Sequence, residues 1–165
     1  MTPDPIVADA GPLIGLAIAA RVEILGALFE KVLIPQAVLE ELQIEASRPG
    51  SLALSKAKEE GWLSTEDVPE NTDVTQLSEL LDRGEAEAIV LAQSKDARLL
   101  IDERKGRAVA RSRGIIVIGT GGVLLLAKRE HVIDQIAPIR DELASHGYRL
   151  SDELRRELLV LAGEA

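Results

Sequence analysis

The chain has 165 residues, no cysteine and 46% apolar content, which favours one domain with its own core and excludes disulfides and thiolate metal sites. A net charge of −9 argues against a nonspecific nucleic-acid coat, which needs cationic excess, but is compatible with carboxylates gathered to hold a metal. The three aromatic residues, Phe29, Trp62 and Tyr148, argue against a platform for stacked bases.

Residues 1–5, with Asp4 and two prolines, lack the positive start and apolar middle of a signal peptide. The longest apolar stretches, such as 14–20, fall short of the roughly 20 residues of a membrane span. The expected location is cytoplasmic, away from membranes. Residues 5–9 read as a short buried strand ending on Asp9. A helix over 12–20 follows, with Pro12 in its first turn, and another over 22–29. Residues 31–35 form a second strand, stopped by Pro35. Ala37, Val38 and Leu42 then show helical spacing within 35–45.

A turn at 47–51 precedes a helix over 52–60, closed by Gly61. Residues 62–64 read as an edge strand, with Trp62 a packing residue. The polar stretch 66–75 reads as a loop. Helices over 77–81 and 85–94 flank Asp82-Arg83-Gly84. A third strand, 98–102, ends on Asp102. A basic helix, 104–113, closes at Gly114, and a fourth strand, 115–118, opens into Gly119-Thr-Gly-Gly122. That segment reads as a tight turn, since it lacks the dinucleotide spacing and the lysine of a P-loop. Helices over 123–129, 132–146 and 151–162 complete the chain, the last two split by Gly147. Apolar strands alternating with helices imply a parallel sheet covered on both faces, whose ligands sit at the strands' carboxyl ends.

Asp9 and Asp102 should therefore share one sheet edge. Glu41, about two turns into its helix, and Glu85, at a helix start after Gly84, can reach the same edge. Like charges brought this close repel strongly at low dielectric, so a fold that gathers them needs a cation. Hard divalent ions take such oxygen ligands and support phosphodiester cleavage. Each acid taken alone reads equally well as a turn aspartate or a solvated glutamate; together they favour a site. Between 98 and 113 the charge reverses, with Arg98, Arg104, Lys105, Arg107, Arg111 and Arg113. That run fits phosphate contact beside a metal, and equally a solvated or salt-bridged helix face. His131 and His146 have no neighbours that suggest a triad or a zinc site.

The stretches Ile6-Val-Ala-Asp-Ala-Gly-Pro-Leu-Ile14, Ile34-Pro-Gln-Ala-Val-Leu-Glu-Glu-Leu42 and Leu81-Asp-Arg-Gly-Glu-Ala-Glu-Ala-Ile89 occur in order. Leu99-Leu-Ile-Asp-Glu103, Gly106-Arg107 and Ile118-Gly-Thr-Gly-Gly-Val-Leu124 follow. In this ordered set the chain resembles the PIN-domain superfamily, especially compact prokaryotic PIN-like proteins akin to the toxins of toxin–antitoxin pairs. The resemblance implies a three-layer α/β/α fold with a central parallel sheet of four to five strands. It implies a Mg2+- or Mn2+-dependent endoribonuclease with Asp9, Glu41, Glu85 and Asp102 as catalytic acids. Of these, Asp9, Glu85 and Asp102 would hold the metal. Glu41 is chosen over Glu40 because it directly precedes Leu42.

Glu103 and Thr120 would be accessory, and Arg107, with Arg104 and Lys105, would contact RNA phosphate. An RNA substrate, a small antitoxin and a homodimer are also implied, with 13–29 and 154–161 as possible dimer faces against ordinary core burial. One departure stands out. Family members often carry Ser or Thr after the first aspartate, where this chain has Ala10 and Gly11; Thr120 is a partial substitute for the missing hydroxyl. The alternatives are a catalytically weak PIN-like module acting through protein or RNA contacts, and a phosphate- or nucleotide-binding regulator using Gly119–Gly122.

Overall fold

The computed structural model describes residues 4–69, 72–148 and 152–164. Five strands, β1 (Ile6–Ala8), β2 (Val32–Ile34), β3 (Leu63–Thr65), β4 (Arg98–Leu100) and β5 (Val117–Ile118), form one sheet in the order β3-β2-β1-β4-β5. All pairings are parallel, with Ile6 opposite both Val32 and Arg98. β1 and β2 are buried along their whole length. Both faces of the sheet are therefore covered, as their unbroken apolar runs require.

The helices are α1 (Ala10–Ile18), α2 (Glu23–Leu28), α3 (Gln36–Leu42), α4 (Ser51–Glu60) and α5 (Thr72–Leu77), then α6 (Arg83–Lys95), α7 (Arg104–Ser112), α8 (Thr120–Arg129), α9 (Ala137–Ser145) and α10 (Asp152–Ala162). Among the described residues, none is long and apolar enough to cross a membrane. α3 packs on α1 and α6, and α8 on α2 and α10. Leu13, Leu16, Leu25, Leu28 and Phe29 are completely buried, so these residues of the 13–29 segment form core. Trp62 packs as expected: its ring lies against Gly26 of α2, where a methyl group would meet it at 2.8 Å.

Of the boundaries that differ from the sequence reading, four bear on the packing. The stretch 66–75 is not all loop, because Val74 and Leu77 bury one side of α5 beside α6. Residues 78–80 form turns instead of continuing a helix over 77–81, and the Ser78 hydroxyl donates back to the Val74 carbonyl at 2.7 Å. Residues 119–122 are not a separate turn, because Gly119 caps α8 and Thr120 begins it. Finally, α9 starts at Ala137, not at 132. Pro138 lies in its first turn, where its missing N–H costs nothing; further inside it would break the helix.

Candidate acidic site

Every predicted acid reaches the carboxyl edge of the sheet through a strand end or a helix of its own. Asp9 directly follows β1 and occupies the N-cap position of α1. Its amide donates to the Leu100 carbonyl at 2.9 Å, which fastens the end of β1 to that of β4. Its carboxylate is 7% exposed and makes no capping bond. Burial pushes the carboxyl up to about 7, and the charges of Asp82, Glu41 and Asp102 add to this against a hydrogen bond from Ala10.

Glu41 arrives on α3. Glu87 of α6 accepts a 3.2 Å bond from the Ala37 amide in the first turn of α3 and a 2.6 Å bond from Arg83 Nε. That clamp sets α3 against the start of α6. Glu41 then lies over Gly84, and burial followed by the charge of Asp82 pushes its carboxyl up. Glu40 is exposed.

Glu85 is 7% exposed, and its Oε2 is buried without a hydrogen-bond donor. Its carboxyl is pushed up to about 9, first by burial, then by contact with the carboxyls of Asp82 and Glu103 and by the charges of Asp82 and Asp9. Carboxyls crowded in this way favour a proton or a cation among their oxygens.

Asp82 was not singled out from the sequence. It caps α6, accepting the Glu85 amide at 2.8 Å, and its charge is felt by Asp9, Glu41 and Glu85. The Asp-x-x-Glu spacing at a helix start was the available signal.

Asp102 and Glu103 lie beyond β4. Asp102 accepts the Thr120 amide at 2.7 Å and also the Thr120 hydroxyl. Thr120 thus holds Asp102; no bond from its hydroxyl to Asp9 is present. Glu103 caps α7, accepting the Lys105 amide at 3.0 Å and the Gly106 amide at 2.5 Å. Burial alone would raise its carboxyl, but these amide bonds outweigh it and hold it below the usual carboxylate range.

Arg107 turns back from α7 and donates to the Ile101 carbonyl at 2.8 Å. Burial, then the charge of Arg111, holds its guanidinium below its ordinary value, with Asp102 opposing. Arg104 and Lys105 stand exposed at the start of the same helix.

Three glycines make room for these groups. A methyl group on Gly84 would collide with Glu41 Oε1. One on Gly106 would lie 2.8 Å from Glu85 Oε2 and 2.7 Å from Ile101, and one on Gly119 would lie 2.9 Å from Asp102 Oδ1 and 3.0 Å from Arg107 Nη1. Such separations are below van der Waals contact, so the side chains sit where any β-carbon would push them out.

Among the described residues, no group of three His, Cys, Asp or Glu side chains is arranged to hold a metal ion. The hydrogen bonds give the reason: Asp82, Asp102 and Glu103 are each turned to helix-start amides. The donor chemistry nonetheless suits a hard divalent cation, since all the ligands are carboxylate oxygens and one is buried without a partner.

A parallel sheet in the order β3-β2-β1-β4-β5, with Asp9 and Asp102 following its neighbouring strands β1 and β4, defines a PIN-like α/β protein. The chain belongs to the PIN-domain family described as DUF3368, whose model matches residues 5–164. A solved PilT N-terminus domain protein from the hyperthermophilic archaeon Sulfolobus solfataricus P2 is similar in fold, with a TM-score of 0.50 and 18% identity. The match covers 73% of this chain and 90% of that one. No curated protein matches the chain.

Proposed function

We propose that this chain is a Mg2+- or Mn2+-dependent endoribonuclease that hydrolyses RNA phosphodiester bonds, and that it is the toxin half of a toxin–antitoxin pair. One observation carries the nuclease reading: Asp9, Glu41, Asp82 and Glu85 crowd together until burial and mutual charge push Asp9 up to about 7 and Glu85 up to about 9. A structural role alone does not explain so much uncompensated acid at a sheet's carboxyl edge. Asp9, Glu85 and Asp102 would hold the cation, with Glu41 completing the set. When bound, it supplies Lewis-acid charge to the phosphodiester hydrolysis.

The chain's own groups have separate tasks in this scheme. Thr120 fixes the rotation of the Asp102 carboxylate through two hydrogen bonds. Glu41, on its clamped helix, is free to accept a proton from the attacking water. Arg107, Arg104 and Lys105 face the phosphates along the start of α7. The antitoxin and the homodimer rest on the resemblance of the ordered stretches to toxin ribonucleases.

The test is a Mn2+ titration with a fluorescent RNA, comparing the unaltered protein with Asp9→Asn. Metal-dependent cleavage that the variant loses is expected. Equal cleavage by both would remove Asp9 from the site. A second reading, a PIN-like module that binds RNA or protein with little catalysis, is favoured by Ala10 and Gly11, which leave no hydroxyl after Asp9. It predicts RNA retention with no cleavage at any Mn2+ concentration.

A further inference from the structure

Next to the acids, α1, α8, α9 and α10 enclose a cavity of about 770 Å3. Asp102, Arg107 and Thr120 line one part of it, so it is continuous with the acidic site. Leu125, Leu143, Leu158 and Leu161 contribute an apolar wall. A capping turn delivers the remaining feature, the Tyr148 ring. α9 ends in a 6→1 bond from the Tyr148 amide to the Leu143 carbonyl at 2.9 Å, with Gly147 at φ +90 supplying the left-handed step.

The turn sets the ring against Gly15 of α1, where a methyl group would lie 3.0–3.3 Å from its carbons. The ring is thereby fixed in place, while the residue keeps 36% of its surface exposed. A single ring is no platform for a strand of bases, but it suffices for one.

We propose that this cavity takes the base of one RNA nucleotide, packed against Tyr148 and the leucines, while that nucleotide's phosphate faces Arg107. The inference rests on the nuclease reading and adds a substrate subsite to it. The volume lies within the roughly 300–1,000 Å3 of small-ligand sites, which suits one nucleotide better than a protein segment. A flat apolar base fits the leucines and the ring, and the cationic guanidinium stands at the end shared with the acids. Glu157 of α10 also lines the cavity. Its carboxylate can accept from a donor on the base edge, an exocyclic amine or a ring N–H.

Cleavage by the unaltered full chain in Mn2+ tests the nuclease reading independently. For the cavity, the probe is a set of RNA octamers carrying 2-aminopurine at each position in turn, bound to the Asp9→Asn protein in Mg2+. Quenching at one position is expected. Placing Tyr148→Leu in that background should abolish it and weaken binding about tenfold, the scale of one base–aromatic contact, and Tyr148→Phe should restore both. Leu161→Gln, which removes the apolar contact without adding charge at a position 57% exposed and therefore able to fold, should also weaken binding.

Equal or absent quenching at every position overturns the inference. So does a quench that survives both Tyr148→Leu and Leu161→Gln in proteins with an unchanged circular dichroism spectrum, which would leave the cavity to a protein segment. Position-specific quenching without cleavage by the unaltered protein would refute the nuclease reading and keep the nucleotide subsite.

Discussion

Gly84 separates stability from activity within one residue. A methyl group there meets the end of the flexible Glu41 side chain, not backbone, so Glu41 can swing away at small cost. Alanine also gains up to about 1 kcal/mol of helix propensity over glycine. Gly84→Ala should therefore leave the melting temperature equal or slightly higher, while lowering cleavage by roughly 10- to 100-fold, as expected for a misplaced catalytic group. Melting and cleavage measured on the same preparation check this. Asp9 makes the opposite trade. Its carboxyl is raised on folding to about 7, so the folded state binds the extra proton. The associated stability is full below the unfolded value near 4 and is lost as pH rises through about 7. Metal-free protein should melt lower at pH 8 than at pH 5, and Asp9→Asn should recover on the order of 2 kcal/mol at pH 8, or about 4–8 °C. Added Mn2+ should stabilise the unaltered protein more than the variant. Asp9 and Asp102 were legible in the sequence because strand ends of a parallel sheet must share an edge. Asp82 was not, because a capping aspartate looks the same whether or not other acids crowd round it.

Among the elements, α10 is held to the rest by its far end. Glu164 accepts the Ile136 and Ala137 amides at the start of α9, at 2.9–3.1 Å, and pairs with Lys128 of α8 at 2.8 Å. Lys128 also donates to the Ala162 carbonyl at 2.6 Å. Burial alone would raise the Glu164 carboxyl, but the Ile136 amide and Lys128 outweigh it, so its pKa is lowered. That contribution is present above the unfolded value, near 4.3 for glutamate, and is lost as pH falls through the lower folded one. Glu164→Gln should cost about 1–2 kcal/mol at pH 7 and flatten the decline of the melting temperature below pH 4.5. Thermal melts from pH 3 to 7 give both numbers. This latch also explains the misplaced start of α9. Periodicity alone extends that helix back to 132, whereas its first amides are capped by a residue 27 positions later. Such a partner cannot be read from local sequence. β1 and β2 were legible for the opposite reason: each is a three-residue apolar run buried along its whole length.

At the scale of the whole molecule, net charge and local charge oppose one another. A protein of net charge −9 repels RNA over most of its surface, so the proposed RNA contact would depend on the exposed start of α7 and the cavity beside it. Reversing Arg104 and Lys105 to glutamate together should weaken RNA binding and reduce the slope of log affinity against log salt by about 0.7 for each phosphate contact removed. An unchanged slope would exclude both residues from the interface. The three-layer arrangement was readable from alternating strands and helices, but the 3-2-1-4-5 strand order was not, since no single strand encodes its neighbours. The glycines at 84, 106 and 119 carry a consequence for the gene. Each of their codons is one nucleotide from an alanine codon. On the proposed toxin reading, a harmed host would thus meet three short mutational routes to a silent copy. Survivors of forced expression should then carry alanine at these codons more often than chain-terminating lesions alone would lead one to expect.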